Sequence, residues 1–578
     1  MPLRLTAVRR FLMPLGLTAL LLSGAVALAA PVAAGAHTPA SKVLKFRIGS
    51  AMAMVQSNRT VPLHFSSSAG QAVRVAEQSP TLRALHARVH PLQVVPYVWR
   101  AAHPYWYVVF TYRGKIVADA NVSPAGKLTG VWTGAQAWAP YTHGHIAAVL
   151  DSPWILVPFG LLFMLAFFDP RRLRRPLHFD ALAVLAFLVS YQFLADGHLG
   201  PAVWLAYPPL IYLLARMLRL GFGRPGATGR LAPLLGMRTL VIGLCVMLVA
   251  RIAISLLGQQ EIDVGYESVI GAFRVLHHLP LYWPDPNHGD TYGPVAYLAY
   301  VPFQLLFPWG GSLSNLHAAD AAAIVFDLGT VLGLIFLGRR LRSGADGTRL
   351  GLVMAWAWAA CPFTVIGLIV HTNDGLIAML SVFMLLALAS PLISGTLLGL
   401  ATAAKFSPAG LLPLLAAPRK RGLKGAVVCT AACAGVVAVA IFSWLPSGGL
   451  AYFWQRTIGF QINRVDVFSP WALHGSLHPV QLALEALAVV LAVAVAFVPR
   501  ERPLPRLCAL AAAVTIAVQL PATHWFYYYI LWFLPFLLVA GLAHEQLKVR
   551  RRTAEEPEQQ LMHIEDRRPE AAGTLVGV

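Results

Sequence analysis

The chain has 578 residues, of which 57% are hydrophobic and only 12% are charged, and its formal net charge is +20. So few charged side chains could not cover the surface of a water-soluble protein of this length. Its repeated apolar runs are long enough to cross a bilayer, which takes about 20 residues. The basic residues cluster in short loops between those runs, where they orient the chain and meet membrane lipids, so the charge does not indicate a nucleic-acid partner.

The first 36 residues predict an export signal. The basic segment MPLRLTAVRR precedes the apolar run Phe11–Ala30, and Ala27-Leu28-Ala29 or Ala34-Gly35-Ala36 could form a cleavage site. An uncleaved membrane anchor is the alternative. In either case residues 37–147 are predicted to lie outside the cytoplasm.

Residues 37–147 predict a small α+β domain. Helical periodicity covers Gln71–Val89, with Pro80 dividing it, and strand-like runs follow at Tyr105–Tyr112, Lys115–Asn121 and Leu128–Thr133. Turns are predicted at Arg113-Gly114 and Pro124-Ala125-Gly126. One helix and a three-stranded meander, in the run YWYVVFTYRGKIVADANVSPAGKLTGVWTG, resemble the PepSY-like domains of bacterial envelope proteins.

The rest of the chain predicts an all-α polytopic membrane protein. Residues 148–237 form additional transmembrane helices, 238–543 form the membrane core, and the tail 544–578 is predicted to be cytoplasmic and disordered. The predicted spans are 150–168, 180–195, 201–219, 238–258, 316–338, 350–370, 376–394, 425–445, 479–498, 506–521 and 525–543.

Placing every basic loop in the cytoplasm leaves two apolar segments that cannot be simple crossings. Pro294–Pro308 is short and is interrupted by Pro302, and Gly395–Leu415 contains Lys405 and Pro408. Both are then predicted to be re-entrant, which is tolerated where such a segment is buried in protein or lines a cavity. The alternative is that both are ordinary helices and one basic loop lies outside.

This topology brings unusual polar residues to one face of the membrane. They are Asp263, the 284–292 loop, the sequence His371-Thr372-Asn373-Asp374, the loop 454–478 and His524. Convergent polar groups beside a membrane cavity predict a binding site on the outer side.

Cysteine and histidine do not predict a metal centre. Cys245, Cys361, Cys429, Cys433 and Cys508 sit in or beside apolar spans. Cys429 and Cys433 share a helix face, where small-residue helix packing is favoured over metal binding. The site histidines (His288, His371, His474 and His524) lack tight ligand spacing. No cofactor or metal is expected to be required, and a divalent cation is kept as the alternative.

Several motifs in a fixed order carry a family resemblance over about residues 238–543. They are DVGYESVIGAFRVLHHLPLY (263–282), TYGPVAYLAYVPF (291–303), HTNDGLIAML (371–380), LATAAKFSPAGLLPLL (400–415), FWQRTIGFQINRVDVFSPWALHG (453–475) and HWFYYYILWFLPF (524–536). This part of the chain resembles the integral-membrane GT-C glycosyltransferases, and most of all the bacterial glycosyltransferase family 87. The chain has Tyr-Gly-Pro at 292–294 where that family is expected to carry Tyr-Pro-Pro.

The resemblance implies an inverting enzyme of the bacterial plasma membrane, with its active site on the extracytoplasmic face. It would transfer a hexose, mannose-like, from a polyprenyl-phosphate-sugar donor to an envelope glycolipid or glycan acceptor. Physical chemistry fits this reaction, because a positioned carboxylate can remove the acceptor proton and cations can stabilise the leaving phosphate. Alternatives are a transporter or lipid flippase, a non-catalytic scaffold and a polymer-joining ligase.

Asp263 is the predicted general base, because it follows the span 238–258 at the membrane exit. Glu261 is the rival base, and a carboxylate that merely tolerates the interface is the structural alternative. The predicted substrate-binding residues are Tyr292, Asn373, Asp374, Lys405, Arg456, Gln461, Arg464 and His524.

Each of these residues also has a structural interpretation. Asn373 or Asp374 could cap a helix, Lys405 could extend its ammonium to the membrane surface, and Arg456 and Arg464 could be solvated. Trp283, Tyr292 and Trp525 could stack on a sugar or belong to an interfacial aromatic belt. These alternatives stay open at this point.

Overall fold

The computed structural model describes residues 52–55, 57–62, 65–99, 105–113, 115–133, 137, 152–223, 235–258, 262–282, 291–310, 316–417, 422–462 and 468–543. The predicted export signal and the C-terminal tail lie outside these residues.

The N-terminal part is an antiparallel sheet with two helices. Its elements are β1 (Met52–Met54), α1 (Ala69–Glu77), α2 (Pro80–His86), β2 (Gln93–Trp99), β3 (Tyr105–Tyr112), β4 (Lys115–Val122) and β5 (Leu128–Thr133). The strands follow the chain in the order β1-β2-β3-β4-β5. Ala69, Ala72 and Ala76 of α1 and Trp106, Val108 and Phe110 of β3 are buried in a core of this domain's own residues. An α+β fold is therefore present.

Local sequence explains the two helices. Ser68 and Gln71 form a capping box at the start of α1. Ser79 caps α2 by accepting a hydrogen bond from the Leu82 N–H, and Pro80 occupies the first helical position, where no N–H is needed. The predicted division of the helical stretch at Pro80 is confirmed.

The predicted three-stranded meander is present as β3, β4 and β5, but the sheet has two further strands, β1 and β2, that the sequence did not predict. β2 contains Pro96, and a proline within an apolar run argues against a strand in sequence analysis. The proline is tolerated because it lies beyond the last β1 pair, Met54 with Tyr97. There its carbonyl still accepts a hydrogen bond from the Val55 N–H at 3.0 Å.

The remainder is helical and shares one hydrophobic core from Leu156 to Ala543. The first helices are α3 (Pro153–Leu165), α4 (Pro176–Ala195), α5 (Leu199–Phe222), α6 (Met237–Gly258), α7 (Asp263–Leu276), α8 (Pro294–Leu298), α9 (Val301–Leu306), α10 (His317–Leu341), α11 (Gly344–Ala360), α12 (Pro362–Ile369), α13 (Asp374–Leu386) and α14 (Pro391–Ala404). After a 3₁₀ turn at Ser407–Leu411 come α15 (Leu412–Ala416), α16 (Gly422–Ser443), α17 (Gly449–Arg456), α18 (Ile458–Ile462) and α19 (Pro470–Leu473). After a second 3₁₀ turn, Gly475–Leu477, the last helices are α20 (His478–Phe497), α21 (Leu504–Gln519) and α22 (Ile530–Leu538), with a 3₁₀ turn at Tyr527–Tyr529 and a π-helical end at Val539–Ala543.

The helices are those of a membrane protein. Within the described residues, six are long and apolar enough to cross a bilayer, and the bent pair α11 and α12 would make a seventh. Other predicted spans appear as shorter apolar helices, among them Pro153–Leu165, Asp374–Leu386 and Leu504–Gln519. The total of eleven spans therefore stays a prediction.

The two segments predicted to be re-entrant are both broken. Residues 294–306 form the short helices α8 and α9, of five and six residues. In the second segment α14 ends after 14 residues, at Ala404, and after Lys405 the chain continues as a 3₁₀ turn and the five-residue helix α15. No single helix in either segment reaches the roughly 20 residues of a simple crossing, and whether the chain re-enters the membrane there stays a prediction.

Small residues bring α14 and α16 into close contact. A Cβ atom at Gly395 would lie 2.3 Å from the carbonyl oxygen of Cys429, and one at Gly399 would lie 2.8 Å from that of Cys433. The predicted small-residue packing of the two cysteines is confirmed, and only glycine allows this approach.

A buried arginine stabilises the break between α11 and α12, which are bent by 59°. Pro362 begins α12 and has no N–H, so carbonyl groups at the break lack helical partners. Arg251 of α6 donates to the carbonyls of Ala359 (2.8 Å) and Thr364 (3.0 Å) and to the Asp327 carboxylate (2.8 Å). We refer to Arg251 and Asp327 as the sealed pair, because both are buried.

Candidate functional site

Helix ends converge around a cavity of about 810 Å³. The first turns of α7, α13 and α20 contribute to its wall, as do the residues just before α8, the last turn of α21 and the loop that ends α14. Of the residues predicted to converge on one face, Tyr292, Asp374, Gln461, His478 and His524 line it. These five residues therefore share one cavity, and the side of the membrane on which it opens stays a prediction.

An ion pair lies at the wall of the cavity, and we refer to Lys405 and Asp374 as the cavity pair. The Lys405 ammonium donates to Asp374 Oδ1 at 2.5 Å. The same oxygen accepts from the Trp532 indole N–H at 2.8 Å, and the Thr372 hydroxyl donates to Oδ2. Asp374 is therefore held by three donors, and it fixes the position of the ammonium.

Three aromatic rings surround the Lys405 ammonium. Its nitrogen lies 5.2 Å from the ring centre of Tyr292, 5.4 Å from that of Trp532 and 6.0 Å from that of Tyr529. Rings at these distances stabilise a cation through their negative faces. Lys405 is thus held inside the protein by a carboxylate and three rings, so the sequence-based alternative of extension to the membrane surface does not describe it.

Of the two tryptophans that the sequence suggested, Trp283 lies outside the described residues and Trp525 does not line the cavity. Trp525 is fully buried, donates to Gln519 Oε1 at 3.2 Å and stacks on Phe187, so it is part of the packed interior. Trp532 lines the cavity instead. It was missed because it sits inside an apolar helix, where an aromatic residue most often indicates packing.

Close backbone packing explains why the chain has glycine at position 293. The Gly293 N–H donates to the carbonyl of Ala404 at 3.1 Å, and a Cβ atom at Gly293 would lie 2.1 Å from the Ala403 carbonyl oxygen. Proline would lose this hydrogen bond and clash. Tyr292 is thereby fixed beside Lys405, because the backbone at the start of α8 is attached to the end of α14.

The sequence 371–374 divides between two environments. Asn373 is at the N-cap position of α13 but makes no capping bond, and its amide donates to the Ser268 hydroxyl at 3.1 Å. His371 has a positive φ of 53° and is buried, with Nε2 at 2.9 Å from the Asp320 carboxylate. Neither Asn373 nor His371 is among the residues that line the cavity, whereas Asp374 is.

Asp263 is the first residue of α7, whose neighbours Ile262 and Val264 line the cavity. The backbone of its helix is thus at the site, and its carboxylate lies outside the described part. Glu261, Trp283, His288 and Arg464 also lie outside the described residues.

The remaining predicted residues differ in their relation to the cavity. Gln461 of α18 lines the cavity, and so does His524, whose ring stacks on Phe526 with 5.8 Å between centres. Arg456 ends α17 and is half-buried, and it is not among the lining residues. His474 is exposed and lies 5.9 Å from the ring centre of Trp204.

Sequence reasoning missed Gln481 and Glu485 of α20. Together with the predicted His478, they line the cavity from a helix that is otherwise apolar. A glutamate inside a long apolar helix was the available signal, since ionisable residues in such segments are functional candidates. One carboxylate changes the hydrophobicity of a 20-residue helix little, so the segment still reads as an ordinary membrane span.

No group of three or more metal-ligating side chains occurs among the residues that the structure describes. The polar groups at the cavity are instead a cation, carboxylates, amides, hydroxyls and imidazoles, set among aromatic and aliphatic side chains. This set suits a ligand with an anionic group, several hydroxyl groups and an apolar part.

The fold and the cavity define a class: a helical membrane protein with a cavity, partly lined by polar side chains, between converging helix ends. Residues 291–523 match the family model of glycosyltransferase family 87. Tyr292, Asp374, Lys405, Gln461 and Glu485 fall within the matched residues, whereas Asp263 and His524 fall outside them. The match supports a membrane glycosyltransferase similar to that family. No curated protein matches the chain.

Proposed function

We propose that this protein transfers a hexose, mannose-like, from a polyprenyl-phosphate donor to an envelope glycolipid or glycan. The observation that carries the proposal is the cavity pair: an ammonium held beside an amphipathic cavity within the residues that match a glycosyltransferase family. The cavity volume of about 810 Å³ is in the range of sites that enclose a substrate.

Lys405 is proposed to contact the donor phosphate. An ammonium has three donor hydrogens, and only one hydrogen bond from Lys405, to Asp374, is found among the described residues. Two donors therefore remain for phosphate oxygens. A charge-assisted contact of this kind stabilises the phosphate more as the bond to the sugar breaks and negative charge develops on the leaving group.

Asp263 is proposed to be the general base. Its carboxylate would take the proton of the acceptor hydroxyl while that oxygen forms a bond to the anomeric carbon. On the opposite side of that carbon the bond to the phosphate oxygen breaks, and its electron pair leaves with the polyprenyl phosphate. Attack from the face opposite the leaving group inverts the configuration, and the carboxyl then returns its proton to water.

The distribution of basic loops supports an extracytoplasmic site in a bacterial plasma membrane. Segments such as 339–342 and 418–424 are basic, and in the sequence the first falls at the end of α10 and the second leads into α16. The other end of α10 carries Asp320, which contacts His371, and the other end of α16 leads into α17 and α18, where Gln461 lines the cavity. Since basic loops stay in the cytoplasm, the cavity end would be outside. The N-terminal α+β domain would lie on the same side and is proposed to recruit the acceptor or modulate transfer.

The decisive experiment incubates the purified full-length protein with radiolabelled polyprenyl-phosphate sugars and an envelope lipid extract. We expect a labelled glycolipid or glycan from one of the donors, and free polyprenyl phosphate in equal amount. If labelled donor crosses the bilayer of reconstituted vesicles and no sugar is transferred, the transporter alternative replaces this proposal.

A further inference from the structure

Helix α20 carries a line of polar side chains that the proposed chemistry does not use. His478, Gln481 and Glu485 follow one another at spacings of three and four residues, so they share one helix face. The line extends about 10 Å along the helix axis, at a rise of about 1.5 Å per residue. All three side chains line the cavity.

Glu485 lies on the cavity side of its helix. It comes four residues after Gln481 and three before Ala488, which are both among the buried residues of α20, and its own side chain is exposed where it borders the cavity. The opposite side of the helix is strongly exposed and apolar, as at Leu487 and Val490. That side is the one expected to contact lipid, so Glu485 is directed towards the cavity and away from the lipid.

The outer part of the line is already fixed by hydrogen bonds. The Gln481 amide donates to the Pro521 carbonyl at 2.8 Å and to the Thr523 hydroxyl at 3.3 Å. His478 Nδ1 lies 3.3 Å from Gln481 Oε1. Within the described residues, the Glu485 carboxylate makes no hydrogen bond or ion pair, which is costly for a charge this far inside an apolar helix unless water or a ligand satisfies it.

We propose that this face of α20 is the subsite for the hydroxyl groups of the acceptor sugar. A carboxylate only accepts hydrogen bonds and can accept from two neighbouring hydroxyls at once, which suits a pyranose ring. The same negative charge repels a phosphate, so the donor phosphate is directed to Lys405 and the neutral sugar to Glu485. The Glu485 carboxylate thus favours binding of the acceptor sugar, and disfavours binding of the donor phosphate, in its part of the cavity. The assignment of the sugar as an acceptor rests on the proposed function.

Direct binding tests the subsite separately from transfer. Full-length protein in nanodiscs is titrated with methyl α-glycosides of mannose, glucose and galactose by saturation-transfer NMR, and separately with decyl phosphate. We expect Glu485→Gln and Glu485→Ala to weaken binding of the best glycoside by about tenfold or more, because charge-assisted hydrogen bonds are lost. Decyl phosphate binding should stay unchanged in both variants, which also shows that they fold.

Leu487→Ala is the matched control, since it shortens an exposed side chain on the apolar side of the same helix. It should leave both titrations unchanged. Lys405→Met should show the reverse pattern, with decyl phosphate weakened and the glycoside retained.

Three results would overturn the subsite. They are unchanged glycoside binding in both Glu485 variants, an equal loss of glycoside and phosphate binding, and a gain of decyl phosphate binding without any change for the glycoside. If Glu485-dependent glycoside binding is found but no polyprenyl-phosphate donor supports transfer, the subsite stands and the proposed reaction falls.

Discussion

Two ion pairs lie inside the apolar bundle, and their surroundings differ. The sealed pair joins Arg251 to Asp327 at 2.8 Å, with the Trp358 indole N–H donating to the same carboxylate oxygen at 2.9 Å. The cavity pair joins Lys405 to Asp374, and the Trp532 indole N–H donates to the same carboxylate oxygen at 2.8 Å. Each of the two carboxylates thus accepts hydrogen bonds from one cationic side chain and one indole N–H.

The difference lies in what else the cation contacts. Arg251 is fully buried and donates to two carbonyls at a helix break, so its hydrogen bonds serve the protein itself. Lys405 borders a cavity and has aromatic rings around it. A charge within an apolar span is therefore a functional candidate only when the structure leaves space beside it.

The largest expected effect tests the chemistry of the cavity. Asp263→Asn keeps the side-chain shape and removes the base, so we expect the transfer rate to fall by about 10²–10⁴-fold. Donor binding should survive, because Lys405 holds the phosphate. Product formation and donor affinity are measured on the same preparations. Glu261→Gln is the control, and loss of transfer in that variant alone would move the role of base to Glu261.

Arg251→Met should act on stability and leave donor affinity unchanged. It leaves Asp327 buried without its cation, and breaking a buried pair by removing one partner costs about 3–5 kcal/mol. Thermal unfolding in detergent measures the loss. The double variant Arg251→Met with Asp327→Leu should recover part of it, since no isolated charge remains. If the Arg251→Met variant is as stable as the wild type, Arg251 does not stabilise the fold, and the difference between the sealed pair and the cavity pair is wrong.

Lys405→Met should show the opposite behaviour. Loss of a charge-assisted phosphate contact of about 1.5–3 kcal/mol weakens donor affinity roughly tenfold to a hundredfold and slows turnover. The loss of affinity is measured as a weaker binding constant for decyl phosphate and a higher KM for the donor. Adding Asp374→Asn removes the carboxylate left behind. If the double variant regains donor affinity, Lys405 serves only to neutralise Asp374 and the phosphate assignment is wrong.

Gly293→Ala tests whether backbone contact fixes the cavity wall. The added Cβ would meet the Ala403 carbonyl, and overpacking of this kind costs about 1–3 kcal/mol. We expect lower stability and a raised KM for donor, because Tyr292 moves away from Lys405. Gly200→Ala is the comparison, since a Cβ atom added there would have nothing within 4 Å. Equal effects of the two substitutions would contradict the expectation.

Deletion of residues 37–147 should have the smallest effect on catalysis. The α+β domain described within that range has its own hydrophobic core, separate from that of the helices. We expect the shortened protein to transfer sugar with a turnover close to that of the wild type. Its turnover should be higher than that of the Asp263→Asn, Lys405→Met and Gly293→Ala variants, which alter the cavity. Complete loss of transfer by a folded deletion variant would show that the domain takes part in the reaction.

Sequence alone determined the class and much of the local structure. Low charge and long apolar runs require a membrane protein, because no other solvent accepts that surface. The boundaries of β3 and β5 were predicted correctly, since turn residues such as Pro124 and Gly126 mark the ends of alternating runs. The motif order around Tyr292, Asp374 and Lys405 also indicated the family that the comparison matched.

Only the tertiary structure decided which polar residues share a site. Lys405 and Asp374 are 31 positions apart, and Trp532 follows Asp374 by 158, so no local pattern joins them. The same folding directs Arg251 to a helix break and Glu485 to a cavity, although both are charged residues within apolar helices. Hydrophobicity sets which segments enter the membrane, but the packing of one helix against another sets where each charge points. That arrangement is the physical reason why the class and several site residues could be predicted, whereas the contacts between those residues could not.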